Sequence, residues 1–558
     1  MARAGSDAPV QHRRSPARPV RPRPHSPYPS GPPPRAIPVP PCATRVPRPV
    51  FPPRPHRSDP RLQTRREMSE PTELSAIRLA EAIRNREISP VEAVQGALDR
   101  IEKVNPAVNA FVTVCGERAL ERAAEAERAL ADGTATGPLH GVPIGVKDLD
   151  PVAGVRMARG SLVFAEDIPQ ETILCVEKLE QAGAIVVGKT NTPEFGFKAT
   201  TDSALFGPAS TPFNRAMNAG GSSGGSAAAV SSGMVPLAQG SDAGGSLRVP
   251  AAFCGVFTLM PTFGRVPVPA KPNAFRRFNP MVCYAPLART VADAALGVDL
   301  MSGAHPYDPY SFPAPEKLTD ALHGDLTGLT VGYSPDLGGY PVEPEVEAAV
   351  RAALPALRDA GATVEETGFR LPLPHGDLTA MWRRYLSVAH AESAAISRDN
   401  GIDLLGAYAG SIDQGYLDSV RVGESFSAVD FRLEDLDRTR VLYAFEELFD
   451  RYDLVVSPVN AVAGIPNSAG RDTVGPDTVE GQVVDPFVGW SLTSPFNLIG
   501  SPAASVPVGR ARNGVPVGLQ LAARRRNDAL VVRAAVAIES RLPWAAGYED
   551  LDLDATTV

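Results

Sequence analysis

The chain has 558 residues, enough to bury a large core, and carries 63 acidic against 55 basic side chains for a net charge of −8. That charge is unevenly divided: residues 1–67 contain 19 prolines, 14 arginines, no lysine and 3 acids, a net +11 that leaves −19 for the rest. No apolar run reaches the roughly 18 residues of a membrane span. The five cysteines, Cys42, Cys115, Cys175, Cys254 and Cys283, show no paired spacing, and the histidines form no metal-binding motif. A membrane protein, a disulfide-stapled secreted domain and a histidine-based metalloenzyme are therefore excluded, and a cytoplasmic protein with reduced thiols is expected.

In chain order, residues 1–67 are too rich in proline and arginine to bury apolar surface. They read as a disordered extension, either an inert tail or the product of an upstream start-site choice, because Met68-Ser69-Glu70 stands just before the first helical pattern. A basic arm touching nucleic acid or membrane, or a targeting peptide, is the competing reading; without an apolar h-region a secretory signal is not supported. From Met68 to Val558 one domain is expected. Ser75–Val104 repeats apolar residues at helical spacing (Ile77, Leu79, Ala80, Ile83), and Ser89-Pro90-Val91-Glu92 reads as an N-cap, a first-position proline and the helix that follows. Glu117–Ala131 is a second charged helix. From Gly137 onward short apolar strands alternate with helices such as Thr290–Met301 and Val346–Ala360; Asp453–Pro458 reads as a late buried strand and Ala529–Arg541 as a final helix. The alternation predicts an α/β fold with helices on both faces of a sheet.

One motif misleads. Gly183-Ala184-Ile185-Val186-Val187-Gly188-Lys189-Thr190 fits the phosphate-loop pattern letter for letter. That loop needs a strand before it and a helix after it. Here Thr172–Gln181 reads as a helix, Ala184–Val187 is itself strand-like, and Asn191-Thr192-Pro193 starts no long helix, so nucleotide binding is rejected.

The chemistry-bearing stretch is Gly220–Gly255, with two clusters, Gly220-Gly221-Ser222-Ser223-Gly224-Gly225-Ser226 and Gly244-Gly245-Ser246. A serine hydroxyl attacks a carbonyl only when a base takes its proton. A lysine kept neutral by burial can be that base, and Lys147 lies upstream in Gly141-Val142-Pro143-Ile144-Gly145-Val146-Lys147-Asp148. Glycines let backbone N–H groups approach an oxyanion, each donor being worth roughly 3–4 kcal/mol. Gly/Ser runs are also common as flexible linkers, but here they flank Ala227–Val230 and Val235–Ala238, which are apolar enough to be buried.

At these residues the chain resembles the amidase signature family. The likeness extends over about Glu70 to Asp550 through further motifs: Gly188–Glu194, Gly240-Ser241-Asp242, Arg248, Pro261–Val266, Leu287–Asp293, Pro495-Phe496-Asn497, Gly500–Ala504 and Gly514–Gln520. The resemblance implies the amidase signature fold: a large mixed, twisted sheet of about eleven strands, flanked by helices on both faces. It implies Ser246 as the nucleophile that becomes the acyl ester, Ser222 as a bridging serine after a cis peptide bond, and Lys147 as the terminal base. It also implies the N–H groups of Ala243, Gly244, Gly245 and Ser246 as oxyanion donors. Ser223 is expected to be structural, and His140 to have a structural or surface role.

Met260, Ala243 and Tyr284-Ala285-Pro286 depart from the family's usual residues, which touches substrate contacts rather than the three catalytic side chains. Thr190–Asn214 and Leu542-Pro543-Trp544 resemble the 6-aminohexanoate-cyclic-dimer hydrolases within the family. The implied function is an amidase that hydrolyses a small-molecule carboxylic amide to an acid plus ammonia or an amine. The alternatives are a glutaminase-type subunit of an amidotransferase, or a non-catalytic binding protein on the same scaffold. No cofactor, metal, nucleic acid or membrane partner is expected, and a homodimer is left open. Substrate contacts are expected in Phe195–Thr201, Lys271–Asn279 and Met381–Tyr385.

Overall fold

A computed structural model describes residues 71–134, 137–278, 281–548, 551 and 553. The extension expected at residues 1–67, with its boundary at Met68, lies outside them.

Two capped helices open the described chain. Ser75 accepts from the Arg78 N–H at the start of α1 (Ala76–Arg84). Ser89 and Glu92 form a reciprocal capping box at the start of α2 (Pro90–Val108), with Pro90 in the first turn, where its missing N–H costs nothing. The α2 helix runs four residues beyond the reading from sequence and includes Pro106. Then come β1 (Phe111–Val114), α3 (Gly116–Ala131), β2 (Pro143–Lys147), α4 (Leu174–Gln181) and β3 (Ile185–Thr190).

The central segment contains α5 (Gly224–Ser231), β4 (Leu237–Asp242), α6 (Arg248–Phe253), β5 (Phe257–Met260), β6 (Cys283–Ala288) and α7 (Val291–Met301). It is followed by β7 (Thr330–Tyr333), α8 (Pro344–Asp359), β8 (Thr363–Glu366) and three consecutive helices, α9 (His375–Asp399), α10 (Gln414–Ser425) and α11 (Ala428–Phe449). The chain closes with β9 (Leu454–Pro458), α12 (Ser494–Ile499), β10 (Ala503–Arg510), β11 (Pro516–Ala523) and α13 (Asp528–Arg541).

The strands form one eleven-stranded mixed sheet in the order β1-β3-β2-β4-β6-β5-β10-β11-β9-β7-β8, and helices cover both faces. The α/β expectation and the amidase signature architecture are thus met. The β2 strand is central to the site. It lies parallel to both neighbours, pairing Val146 with Lys189 on β3 and with Gln239 on β4. Lys147 at the end of β2 and Asp242 at the end of β4 therefore come out on the same edge of the sheet, where the carboxyl ends of adjacent parallel strands leave room for a site. All eight residues of α5 are buried, so the Gly/Ser run before it leads into the core and is no linker.

Candidate active site

Lys147 is fully buried, and its Nζ lies 2.8 Å from Ser222 Oγ, 3.2 Å from Ser241 Oγ and 3.5 Å from the Ser241 carbonyl oxygen. Among the described residues it makes no ion pair. Burial lowers its pKa to about 8, against the opposing pull of the Asp150 and Asp242 carboxylates. Ser222 is buried and follows a cis peptide bond from Gly221. Ser246, at the tip of the β4–α6 turn, is only half-buried and accepts at its carbonyl oxygen from the Ser223 N–H at 3.1 Å. The structure thus joins Lys147 to Ser222 by a side-chain hydrogen bond and brings the backbone of Ser246 to that of Ser223, with Ser246 the most open of the three expected residues. Ser223 donates to the Ser241 carbonyl at 3.2 Å, tying the two serine loops together as the structural reading anticipated.

The turn carrying Ser246 is wound around one carboxylate. Asp242 accepts from the N–H groups of Gly245 at 2.6 Å and Leu247 at 3.1 Å, from Arg248 Nε and Nη2 at 3.1 Å each, and from Asn497 Nδ2 at 2.9 Å. Burial alone raises that carboxyl, but the Arg248 guanidinium and the hydrogen bonds outweigh it and hold the pKa below the usual carboxylate range. Arg248 itself is fully buried and donates onward to the Thr493 carbonyl at 2.9 Å, Gln520 Oε1 at 2.8 Å and Asn497 Oδ1 at 2.6 Å. Breaking such a pair on one side costs about 3–5 kcal/mol, because it strands a buried charge.

This geometry corrects one expected oxyanion donor. The Gly245 N–H is engaged by Asp242 at 2.6 Å and is not available. Among the described residues, the N–H groups of Ala243, Gly244 and Ser246 make no protein hydrogen bond.

The expected substrate-contact loops divide. Gly196, in the left-handed region at φ 72°, lies against the bridging serine: a Cβ there would meet Ser222 Oγ at 3.2 Å. Its neighbours Phe195 and Phe197 join an aromatic group with Phe164, Tyr416 and Phe487. Trp382 reaches the glycine turn, donating to the Ala243 carbonyl at 2.8 Å, whereas Tyr385 turns away to Asp435. In the Lys271–Asn279 stretch Lys271 is exposed and pairs with Glu171; Asn279 lies outside the described residues. Met260, the departure on β5, offers its sulfur to Asn497 Nδ2 at 3.2 Å, behind the Asp242 anchor. Trp382 lies inside the Met381–Tyr385 stretch expected to contact substrate, but its bond to the glycine turn was not anticipated, and Thr493 was not singled out at all; Asp242, Arg248 and Asn497 stood within recognised motifs without an assigned role.

The phosphate-loop pattern falls on β3 itself. Lys189 is buried there and donates to the Asp150 carbonyl, with no open loop to cradle a phosphate. Among the described residues no helix is long and apolar enough to cross a membrane, and no group of His, Cys, Asp or Glu is placed to hold a metal ion.

Comparison with known proteins places this geometry in a family. The Amidase family profile matches residues 92–532. An acylamidase of Rhodococcus erythropolis is 37% identical over 85% of this chain and 96% of its own length. A glutamyl-tRNA(Gln) amidotransferase component from Thermosynechococcus vestitus is 35% identical over 82% and 96%. Among solved structures, a bacterial aryl acylamidase of the amidase signature family superposes with a TM-score of 0.84 at 33% identity, covering 87% of this chain and 99% of that one. A substrate complex of 6-aminohexanoate cyclic dimer hydrolase gives 0.76 at 27% identity, covering 87% and 100%. The chain belongs to the amidase signature family and is a hydrolase of carbon–nitrogen amide bonds.

Proposed function

We propose that the chain hydrolyses an N-acyl amine through a seryl acyl-enzyme built by a Lys147–Ser222–Ser246 relay. The observation that carries the reading is the 2.8 Å approach of a buried lysine, free of any ion pair among the described residues, to the Ser222 hydroxyl. Neutral Lys147 accepts the Ser222 proton while Ser222 takes the proton of Ser246, and the Ser246 oxygen attacks the amide carbon. The tetrahedral oxyanion rests on the N–H groups of the glycine turn, with Gly244 and Ser246 as the principal donors. The relay then returns a proton to the nitrogen, the C–N bond breaks and the amine leaves. An amide needs this acid assistance because an amine anion is a poor leaving group. Water enters, gives its proton to the same relay, and attacks the ester to release the acid and Ser246.

The acylamidase relatives support an acyl-substituted amine as substrate. The free state of Cys115, Cys175, Cys254 and Cys283 supports the cytoplasm as its location. We also assign no catalytic part to residues 1–67: a chain beginning at Met68 should retain turnover and melting temperature, and a loss of either would give the extension a role.

The test of the relay is a panel of aryl and alkyl N-acyl amines, read by released amine, with wild type and Ser246→Ala. Ser246→Ala should lower turnover by at least about a thousandfold without unfolding the chain. Trapped acyl label should map to Ser246; label on Ser223 or Cys254 would overturn the assignment.

A further inference from the structure

Two peptide planes of the turn leading to Ser246, Ala243–Gly244 and Gly244–Gly245, are both held by side chains, but with opposite results. The Gly244–Gly245 plane has both polar ends occupied: Thr493 Oγ1 donates to the Gly244 carbonyl at 2.5 Å, and the Gly245 N–H donates to Asp242 Oδ1 at 2.6 Å. The Ala243–Gly244 plane is held at one end only. The Trp382 indole N–H donates to the Ala243 carbonyl at 2.8 Å, while the Gly244 N–H makes no protein hydrogen bond among the described residues. A trans peptide is planar, with its C=O and N–H antiparallel, so fixing the oxygen fixes the direction of the hydrogen.

Trp382 also lies flush against this turn. It is 6% exposed, and a Cβ at Gly244 would overlap Trp382 Cζ2, so residue 244 has no room for a side chain while the indole is in place. Packing alone needs an aromatic ring here. The hydrogen bond needs the nitrogen.

We propose that Trp382 is a positioning residue for amide hydrolysis: its indole N–H locks the Ala243–Gly244 peptide so that the Gly244 N–H is presented to the developing oxyanion. The inference rests on the reading of the glycine turn as the oxyanion cradle and adds the group that aims it. In the absence of that bond the Ala243–Gly244 plane can rotate, and the donor must be re-aligned in each turnover, a cost that falls on the transition state and not on ground-state binding.

The experiment replaces Trp382 by 3-benzothienylalanine, which keeps the bicyclic shape and lacks the N–H, alongside Trp382→Phe. kcat and KM are measured on the best N-acyl amine of the wild-type panel, together with the inhibition constant of a matching trifluoromethyl ketone, whose serine adduct carries an oxyanion. Removing an oxyanion donor outright costs about 10²–10³ in kcat, so losing its alignment should cost about tenfold. KM should stay within about twofold, the trifluoromethyl ketone should weaken in step with kcat/KM, and the acid limb of the pH profile should not move. A packing role alone would raise KM or lower the melting temperature while leaving kcat and inhibitor affinity unchanged, and that result overturns the proposal. Fluorophosphonate labelling of the wild-type protein separates the two levels. If Ser246 is not labelled, the serine relay falls and this inference with it. If Ser246 is labelled and the benzothienyl variant matches wild type, the positioning role alone falls.

Discussion

Lys147 and Lys189 stand on adjacent strands, one residue out of register, both without solvent exposure and both with a pKa lowered by burial to about 8. By desolvation they are the same residue. Their partners separate them. The Lys189 ammonium faces the carboxylates of Asp148 and Asp150 and donates to the Asp150 carbonyl, an arrangement that satisfies a charge. Lys147 faces two hydroxyls, Ser222 and Ser241, and one of them leads to the open side of the site. Burial makes a lysine able to lose its proton; only a hydroxyl within reach makes that loss useful.

The two lysines should part most widely at Lys147→Ala. Turnover should fall by about 10⁴-fold, and the acid limb should vanish from the residual activity. In the wild-type protein kcat/KM should rise with pH through about 8, because the neutral amine is the working form and dominates only above the pKa. An acid limb that survives in Lys147→Ala would assign the base elsewhere.

Lys189→Met should do the reverse. It removes the cation that two buried carboxylates face, and should cost about 3 kcal/mol at neutral pH, read as a melting temperature lower by several degrees. The acid limb of activity should stay where it is. A limb displaced or lost in this variant would mean that the two lysines exchange roles.

Asp150→Asn acts on both lysines at once, since Asp150 raises the pKa of each. Without that carboxylate the ammonium form of Lys147 is less favoured, so the activity limb should move toward acid. An alkaline displacement would contradict the assignment of sign. The smallest effect is expected from Ser241→Ala. Its hydroxyl accepts from the Lys147 ammonium at 3.2 Å and so favours the charged form; its loss should also move the limb toward acid, by less than Asp150→Asn, with the plateau rate little changed.

The lysine pair also marks what a sequence can disclose. Lys189 sits in the better-known letter pattern, and Lys147 in a plainer one. Secondary-structure period decided between them: Ala184–Val187 is too β-branched to be a phosphate loop, and β3 indeed covers Ile185–Thr190. Lys147, Ser222 and Ser246, the residues of the proposed relay, stand out in the sequence because each sits in a local glycine-framed motif. The capping box at Ser89 and the strand Leu454–Pro458 were legible for the same reason, being set by neighbours in the chain. The Gly245 donor was misread because a hydrogen-bond acceptor three residues back, Asp242, is visible only once the turn is folded. Trp382 falls in the Met381–Tyr385 stretch expected to contact substrate, in the first half of a 25-residue helix, but its partner Ala243 is 139 residues away and no signature marks the pair. The α2 helix runs past Val104 and through Pro106, because a proline in the last turn forfeits only one backbone bond.

The Asp242–Arg248 anchor has a consequence in time. Arg248 reaches Asn497 across 249 positions and Gln520 across 272. All three relay side chains lie within the first 246 residues, yet the turn that orients the last of them is tied to strands and helices made near the end of synthesis. At about 5–20 residues per second, a ribosome needs roughly a quarter of a minute to a minute to cover that distance. During that interval the emerging chain carries its lysine and serines without the frame that makes them reactive. Hydrolytic competence therefore arrives only when the C-terminal third docks, and a chain released short of Gln520 should be catalytically silent.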